Sequence, residues 1–276
     1  MIIDSHQHFW DRAMFQYQWL KPDLGCLYQD FLPADLEKLI MPAGVTKTVV
    51  VQADASLDEA RWLLRLSDEN SFIGGVVGWV DLLDEHIERS LDDLARHPKF
   101  LAVRHQIEDE PDRGWLLHSQ VLAGLKKVSR YGLCFDALLK HDQLWQLQAL
   151  IDACPDLPIV IDHAAKPDIK GKEFDSWAAH LEQAAKLPVF CKLSGLFTEA
   201  DHANWAQDDI VPYFNHIIEV FGADRLMFGS DWPVSTMASD YKRTLETSQS
   251  LCGHLSSSDK EKIFYANAKN FYGIAT

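Results

Sequence analysis

The sequence predicts an α/β fold, a single-domain (β/α)8 TIM barrel, on three observations. Eight short apolar runs recur from end to end, and amphipathic segments separate most of them. The chain, at 276 residues, is close to the ~250 that such a barrel takes. The runs are apolar on successive residues rather than on alternate ones, as strands of a parallel sheet covered on both faces are.

In order, the expected strands are residues 1–5, 47–53, 73–80, 100–105, 132–137, 158–162, 188–194 and 225–230. Helical patterns lie between them, at 57–66, 86–96, 143–153, 174–186 and 210–221. A further helix ends in Lys126, Lys127 and Arg130, with Gly132 just beyond, which suits a helix C-terminus. Pro155 and Pro158 close one helix and open the sixth strand. An open doubly wound sheet is the alternative, but no G-x-G-x-x-G follows the first strand. No linker-like stretch divides the chain, so residues 1–276 read as one domain. Residues 11–31 and 109–115 read as long loops over the barrel mouth.

Composition narrows the partners. Hydrophobic residues are 47% and charged residues 24%, enough apolar material for one large core. The formal net charge is −15, and no Lys/Arg cluster offsets it, so nucleic acid is not an expected partner. No apolar run approaches the ~20 residues of a membrane span. The cysteines are Cys26, Cys134, Cys154, Cys191 and Cys252, an odd number without C-x-x-C. Reduced thiols in a cytoplasmic protein are expected, and the N-terminus enters a strand with no basic-then-apolar leader before it.

Barrel chemistry sits where strands end. Here the strand ends carry Asp4-Ser-His6-Gln-His8, Trp79-Val-Asp81, Arg104-His105, Asp136, Asp162-His163, Lys192-Leu-Ser194 and Ser230-Asp231-Trp232. Such side chains are costly to bury without partners, so their convergence on one mouth predicts a site. His-x-His is the sharpest feature, because residues two apart on a strand point the same way and two imidazoles can hold one Zn²⁺. The pair could instead merely satisfy hydrogen bonds. Its company, His163 and Asp231, favours the metal. Asp231 is the candidate to accept and return a proton, or else a turn aspartate capping a helix. His163 is a candidate ligand or electrophile, or a packed histidine. Arg104 cannot readily lose its proton and is a binder or oxyanion stabiliser, or else a structural partner of Asp4 or Asp136. His105 is a weaker candidate. Trp79 and Trp232 could wall a sugar-like ring or simply pack.

Together these residues resemble the amidohydrolase superfamily. The likeness is carried by Asp4-Ser-His-Gln-His-Phe-Trp10, Asp30-Phe-Leu-Pro33, Gly75-Val-Val-Gly-Trp-Val-Asp81 and Val103-Arg-His-Gln106. It continues through Asp162-His163 with Lys166-Pro167, Cys191-Lys-Leu-Ser-Gly-Leu196, Thr198-Glu-Ala-Asp201 and Phe228-Gly-Ser-Asp-Trp-Pro-Val234. The sequence is most similar to the sugar-lactone hydrolase branch, of the L-fuconolactonase and L-rhamnono-lactonase type. The resemblance implies hydrolysis of a small-molecule aldonolactone, with His6, His8, His163 and Asp231 as catalytic cluster and metal ligands. Asp231, His163 and Arg104 would be catalytic, and Trp79, His105, Asp136, Lys166 and Trp232 would contact substrate. Arg104 stands where binuclear relatives carry a bridging lysine, and Asp136 where they carry a histidine. The site should therefore hold one divalent metal at most, zinc by its ligands, and activity need not require it. A monomer or homodimer is expected. The rival readings are a metal-dependent decarboxylase on the same residues, which would need a cationic clamp such as Arg104, and a non-catalytic binding protein.

Overall fold

The computed structural model describes residues 1–275. It shows eight strands: β1 (Ile2–Gln7), β2 (Val45–Val51), β3 (Ile73–Gly78), β4 (Phe100–Gln106), β5 (Cys134–Leu138), β6 (Ile159–Ile161), β7 (Phe190–Leu193) and β8 (Leu226–Phe228). They pair in parallel in sequence order, β1 through β8. This is the expected (β/α)8 barrel. Strand ends shift by one or two residues from expectation, and two of the shifts bear on the site. β1 runs on to Gln7, so His6 lies inside the strand, whereas β3 stops at Gly78, one residue before Trp79.

The helices are α1 (Pro33–Ile40), α2 (Leu57–Glu69), α3 (Glu88–Leu94), α4 (Ser119–Arg130), α5 (Gln146–Ala153), α6 (Phe174–Ala185), α7 (Gln207–Phe221), α8 (Tyr241–Leu251), α9 (Ser257–Glu261) and α10 (Asn267–Tyr272). α2 starts where the Ser56 side chain accepts from the Glu59 N–H, and α8 where Asp240 accepts from the Arg243 N–H, both ordinary helix caps. None of the helices is long and apolar enough to cross a membrane. All five cysteines are free thiols, and only Cys26 is exposed.

The barrel interior is layered. Ile3, Val49, Val51, Val77, Ala102, Cys134, Val160 and Met227 form an apolar floor with Tyr265, Ala268, Tyr272 and Ile274 of the C-terminal segment. α10 and the π-helical turn at Lys262–Ala266 that precedes it thus plug the lower end. Strand residues two apart share a face. Ala102 is therefore followed inward by Arg104, Cys134 by Asp136, and Val160 by Asp162. The layer above the apolar floor is charged.

The sheet is almost closed. No regular ladder joins β8 to β1. A parallel bridge pairs Gln7 with Trp232, the Asp231 N–H donates to the His6 carbonyl at 2.8 Å, and the His8 N–H to the Trp232 carbonyl at 2.7 Å. The Ser5 hydroxyl adds a bond to the Phe228 carbonyl at 2.7 Å.

At the exit of β2, buried Glu59 accepts from the backbone N–H groups of Ala53 at 3.0 Å and Asp54 at 2.9 Å. Burial nevertheless pushes its carboxyl up to about 8, against 4.5 for a free glutamate. Between those values the folded protein holds a proton that the unfolded chain has lost. Stability from this group is therefore complete at low pH and falls as pH rises through the window, by an amount on the order of a few kcal/mol. Calorimetry at stepped pH is expected to show wild-type Tm falling relative to Glu59→Gln by several degrees between pH 5 and 8. A pH-independent offset between the two would refute it.

Candidate active site

The charged layer is organised by Lys192. Its fully buried ammonium donates to Asp136 Oδ2 at 2.5 Å and lies 3.0 Å from both His6 Nδ1 and Asp162 Oδ1. Tyr272 Oη donates to the same Asp136 oxygen at 2.8 Å, so α10 reaches this layer from below. Burial pushes the Asp136 carboxyl up to about 6, against the pull of Lys192. Asp162 is equally buried, but Lys192 and His6 outweigh that and hold it well below the usual range.

Above this layer four side chains converge. His6 Nε2 is 3.1 Å from His8 Nε2, and Asp231 Oδ1 lies 3.4 Å from His8 Nε2, 3.8 Å from His6 Nε2 and 3.9 Å from His163 Nε2. His6, His163 and Asp231 each offer one donor atom within 4.8 Å of the others. Tetrahedral zinc with ~2.05 Å bonds spaces its ligands by roughly 3.3 Å, toward the short end of these separations. The donors can take a ligating form, His6 when its Nδ1 carries the proton and faces Asp162 Oδ1 at 3.4 Å. His8 Nδ1 is 2.7 Å from the Val51 carbonyl, so it carries the proton and leaves Nε2 free. Burial lowers the pKa of His6 and of His163, keeping both imidazoles neutral. Burial works against ionisation of Asp231, yet the surrounding His163, His8 and His6 hold its carboxyl well below the usual range. Two imidazole nitrogens, of His6 and His163, and one oxygen of Asp231 form a group that could hold one ion, and His8 Nε2 stands beside it.

His163 owes its place to an unusual backbone. His163, Ala164, Ala165 and Lys166 all have left-handed φ, at 51°, 48°, 57° and 53°. Four such non-glycine residues in succession are strained, which is a feature of functional sites. The turn is held by the Trp177 indole, donating to the Ala164 carbonyl at 2.8 Å, and by Ser194 Oγ, 2.9 Å from His163 Nδ1. Gly195 completes the seat: its φ is +70°, and a Cβ there would lie 2.7 Å from His163 Nδ1.

Arg104 reaches the same centre. Its guanidinium donates to the Gln52 carbonyl and lies 3.4 Å from His6 Nε2 and 3.6 Å from Asp162 Oδ2. Its ionic partner is thus Asp162, not Asp4 or Asp136: Asp136, beside Arg104 in the register of β4 and β5, is taken by Lys192, and Asp162 stands one strand further on at the end of β6.

His8, Arg104, His163 and Asp231 open into a cavity of about 580 Å³. Residues 11–31 do cover this mouth, supplying Gln18, Trp19, Leu24 and Leu27, while Asp109 and Glu110 come from the second expected loop. His105 and Lys166 line the cavity as expected. His105 stacks on Trp115 at 4.0 Å and pairs with Glu110 at 2.6 Å. Three expected contacts are corrected. Asp136 is buried a layer below, under Lys192. Trp232 packs edge-on against Phe9 and Phe31. Trp79 lies past the end of β3 and is not among the lining residues.

Glu108 and Glu199, which the sequence reading did not single out, line the cavity beside Lys166. Asp162 and Ser194 were visible as strand ends. Nothing in the local pattern marks Glu108.

With this geometry established, comparison with known proteins is informative. Residues 3–274 match the family model described as amidohydrolase. An L-fucono-1,5-lactonase of Burkholderia ambifaria is 38% identical over 99% of this chain and 95% of its own length. An L-fucono-1,5-lactonase of Burkholderia multivorans is 33% identical, over 99% and 96%. A crystal structure of an amidohydrolase from Burkholderia multivorans with bound zinc superposes with a TM-score of 0.94 at 32% identity, covering all of both chains.

The seat of His163 can be tested by two alanines at left-handed glycines. Gly132, at φ +71°, has open space around its missing Cβ, whereas Gly195 at φ +70° meets His163. Gly132→Ala is expected to lose about 1–2 kcal/mol of stability and keep its uptake of a divalent ion. Gly195→Ala is expected to lose more and to bind zinc at least about tenfold more weakly in equilibrium dialysis. Equal metal affinity in both variants would show that Gly195 does not position His163.

Proposed function

This chain belongs to the amidohydrolase family, and on that premise we propose that it is a lactonase, a hydrolase that opens a sugar lactone to its aldonic acid. An L-fuconolactone or a close relative is the substrate that fits the relatives' activities. The observation that carries the reading is Asp231, ionised at neutral pH on the floor of a sugar-sized cavity with Arg104 and His163 beside it. A cavity of about 580 Å³ suits a small ring with room for its hydroxyl groups.

The chemistry follows from these groups. A water beside Asp231 gives up a proton to the carboxylate as its oxygen attacks the lactone carbonyl carbon. The carbonyl oxygen becomes an oxyanion, which the permanent charge of Arg104 and the imidazole of His163 are placed to stabilise. As the tetrahedral centre collapses, the C–O ring bond breaks and Asp231 returns its proton to the departing ring oxygen. His6, His8, His163 and Asp231 would hold a single divalent ion, which as zinc supplies Lewis acidity and a more acidic water when bound.

Decarboxylation on the same residues would need a free cation for the substrate carboxylate. Arg104, the candidate, is already engaged by Gln52, Asp162 and His6. The retained proton-transfer and electrophile set equally speaks against a mere binding protein. We place the reaction in the cytoplasm, where five unpaired thiols are at home, in a monomer or homodimer.

A pH-indicator assay over aldonolactones is expected to show turnover that Asp231→Asn lowers by about 10³-fold with an unchanged circular dichroism spectrum. Near-normal turnover in that variant would remove Asp231 from the mechanism. Metal analysis is expected to find no more than one zinc per chain. Chelation is expected to leave turnover above that of Asp231→Asn, because Arg104 and His163 remain.

A further inference from the structure

Two cations face the cavity among the described residues, and both are already paired. Lys166 Nζ lies 2.9 Å from Glu108 Oε1, 2.8 Å from Glu108 Oε2 and 3.9 Å from Glu199 Oε1. Arg104 is committed to Gln52, Asp162 and His6. Against these two cations stand six lining carboxylates: Asp54, Glu108, Asp109, Glu110, Glu199 and Asp231. A bound divalent ion would only halve that excess of negative charge.

Such a cavity has a definite selectivity. Field lines are focused in a cleft with low-dielectric walls, so an excess of one sign acts on a ligand more strongly there than on an open surface. Lys166 is held by both oxygens of one carboxylate and cannot act as a clamp for a second without giving up the first. Its remaining N–H can still donate to a neutral hydroxyl, and the carboxylate oxygens beside it can accept from one. Burial opposes the charge of Lys166, but Glu108 and Glu199 keep it protonated. The trio is thus built for polyhydroxyl groups rather than for anions.

Hydrolysis itself changes the ligand's charge. A neutral lactone and water become an aldonate anion and a proton, so a negative charge appears inside an already negative cavity. We infer that Glu108, Lys166 and Glu199 form a charge filter, which admits neutral polyhydroxy lactones, excludes lactones bearing a carboxylate, and favours departure of the aldonate product. The inference rests on the lactonase reading and adds the residues that set its selectivity.

The test uses a matched pair: L-galactono-lactone and the galactaro-lactone that carries a carboxylate in place of its terminal hydroxymethyl group. At low ionic strength the wild-type enzyme is expected to favour the neutral member in kcat/KM by about tenfold or more, and the preference should shrink as salt is raised. In Glu108→Gln/Glu199→Gln the preference is expected to narrow by at least about fivefold, with tighter inhibition by the aldonate. Wild-type enzyme that turns over both members equally, or with a preference indifferent to salt, overturns the filter and leaves the lactonase reading standing. Absence of turnover on every neutral lactone overturns that reading instead. If the double variant fails to fold, the wild-type salt series still decides.

Discussion

One buried carboxylate, Asp4, ties the two ends of the chain together. It accepts from the Ser230 N–H at 2.8 Å, from the His6 N–H at 3.2 Å and from the Tyr241 hydroxyl at 3.0 Å. β1, the exit of β8 and the first residue of α8 therefore meet at a single side chain. Burial pushes that carboxyl up to about 6, and the three donors hold it no higher. The candidate ligand cluster is split across this seam, with His6 and its neighbour His8 on one side and Asp231 on the other. Their spacing depends on the bonds that close it, Asp231 N–H to the His6 carbonyl and His8 N–H to the Trp232 carbonyl. Asp4 is thus an indispensable member of its motif without being a ligand. It makes the far ends of the sequence one wall of one site.

The second constraint is electrostatic. A lysine with no solvent exposure is tolerable only with good partners, since removing a charge from water costs several kcal/mol. Asp136 and Asp162 supply them, each offering an oxygen to the ammonium. The layer so formed separates the apolar floor from the ligand cluster. It also touches the cluster, because Lys192 and Asp162 both face Nδ1 of His6, on the side of the ring away from His8. Tyr272 links the same layer to the C-terminal helix, so the plug of the barrel and the support of the site are one structure.

The parts of this architecture that depend on periodicity were legible in the sequence. Strands buried on both faces announce themselves as unbroken apolar runs, and all eight appear where expected. Strand ends proved less legible than strands. The extension of β1 to Gln7 follows from its bonds across the seam, which no local pattern encodes. The early end of β3 takes Trp79 out of the site. Asp136 faces inward as alternation requires, but alternation says nothing of depth, and depth decides whether a carboxylate meets substrate or a lysine. The same limit hid the partner of Arg104, since Asp4, Asp136 and Asp162 are equivalent as strand-end aspartates. α10 and the turn before it lie beyond the repeating units, and their role as a plug depends on tertiary contacts.

The left-handed turn from His163 to Lys166 was the least legible element, because alanines in that conformation carry no signature comparable to glycine. Yet it joins the two halves of the proposed function. Its first residue is the candidate metal ligand and proposed electrophile at the floor of the cavity, and its last is the lysine shared by Glu108 and Glu199 on the wall. The turn closes on itself, with the Lys166 N–H donating to the His163 carbonyl at 2.9 Å. The left-handed path sends His163 toward Asp231 and Lys166 toward the β4 and β7 exits that supply the two glutamates. The strain of four such residues is opposed by the Trp177 indole, the Ser194 hydroxyl and the room left by Gly195. Chemistry and selectivity are then mechanically coupled. A change that relaxes the turn moves the electrophile and the charge filter together.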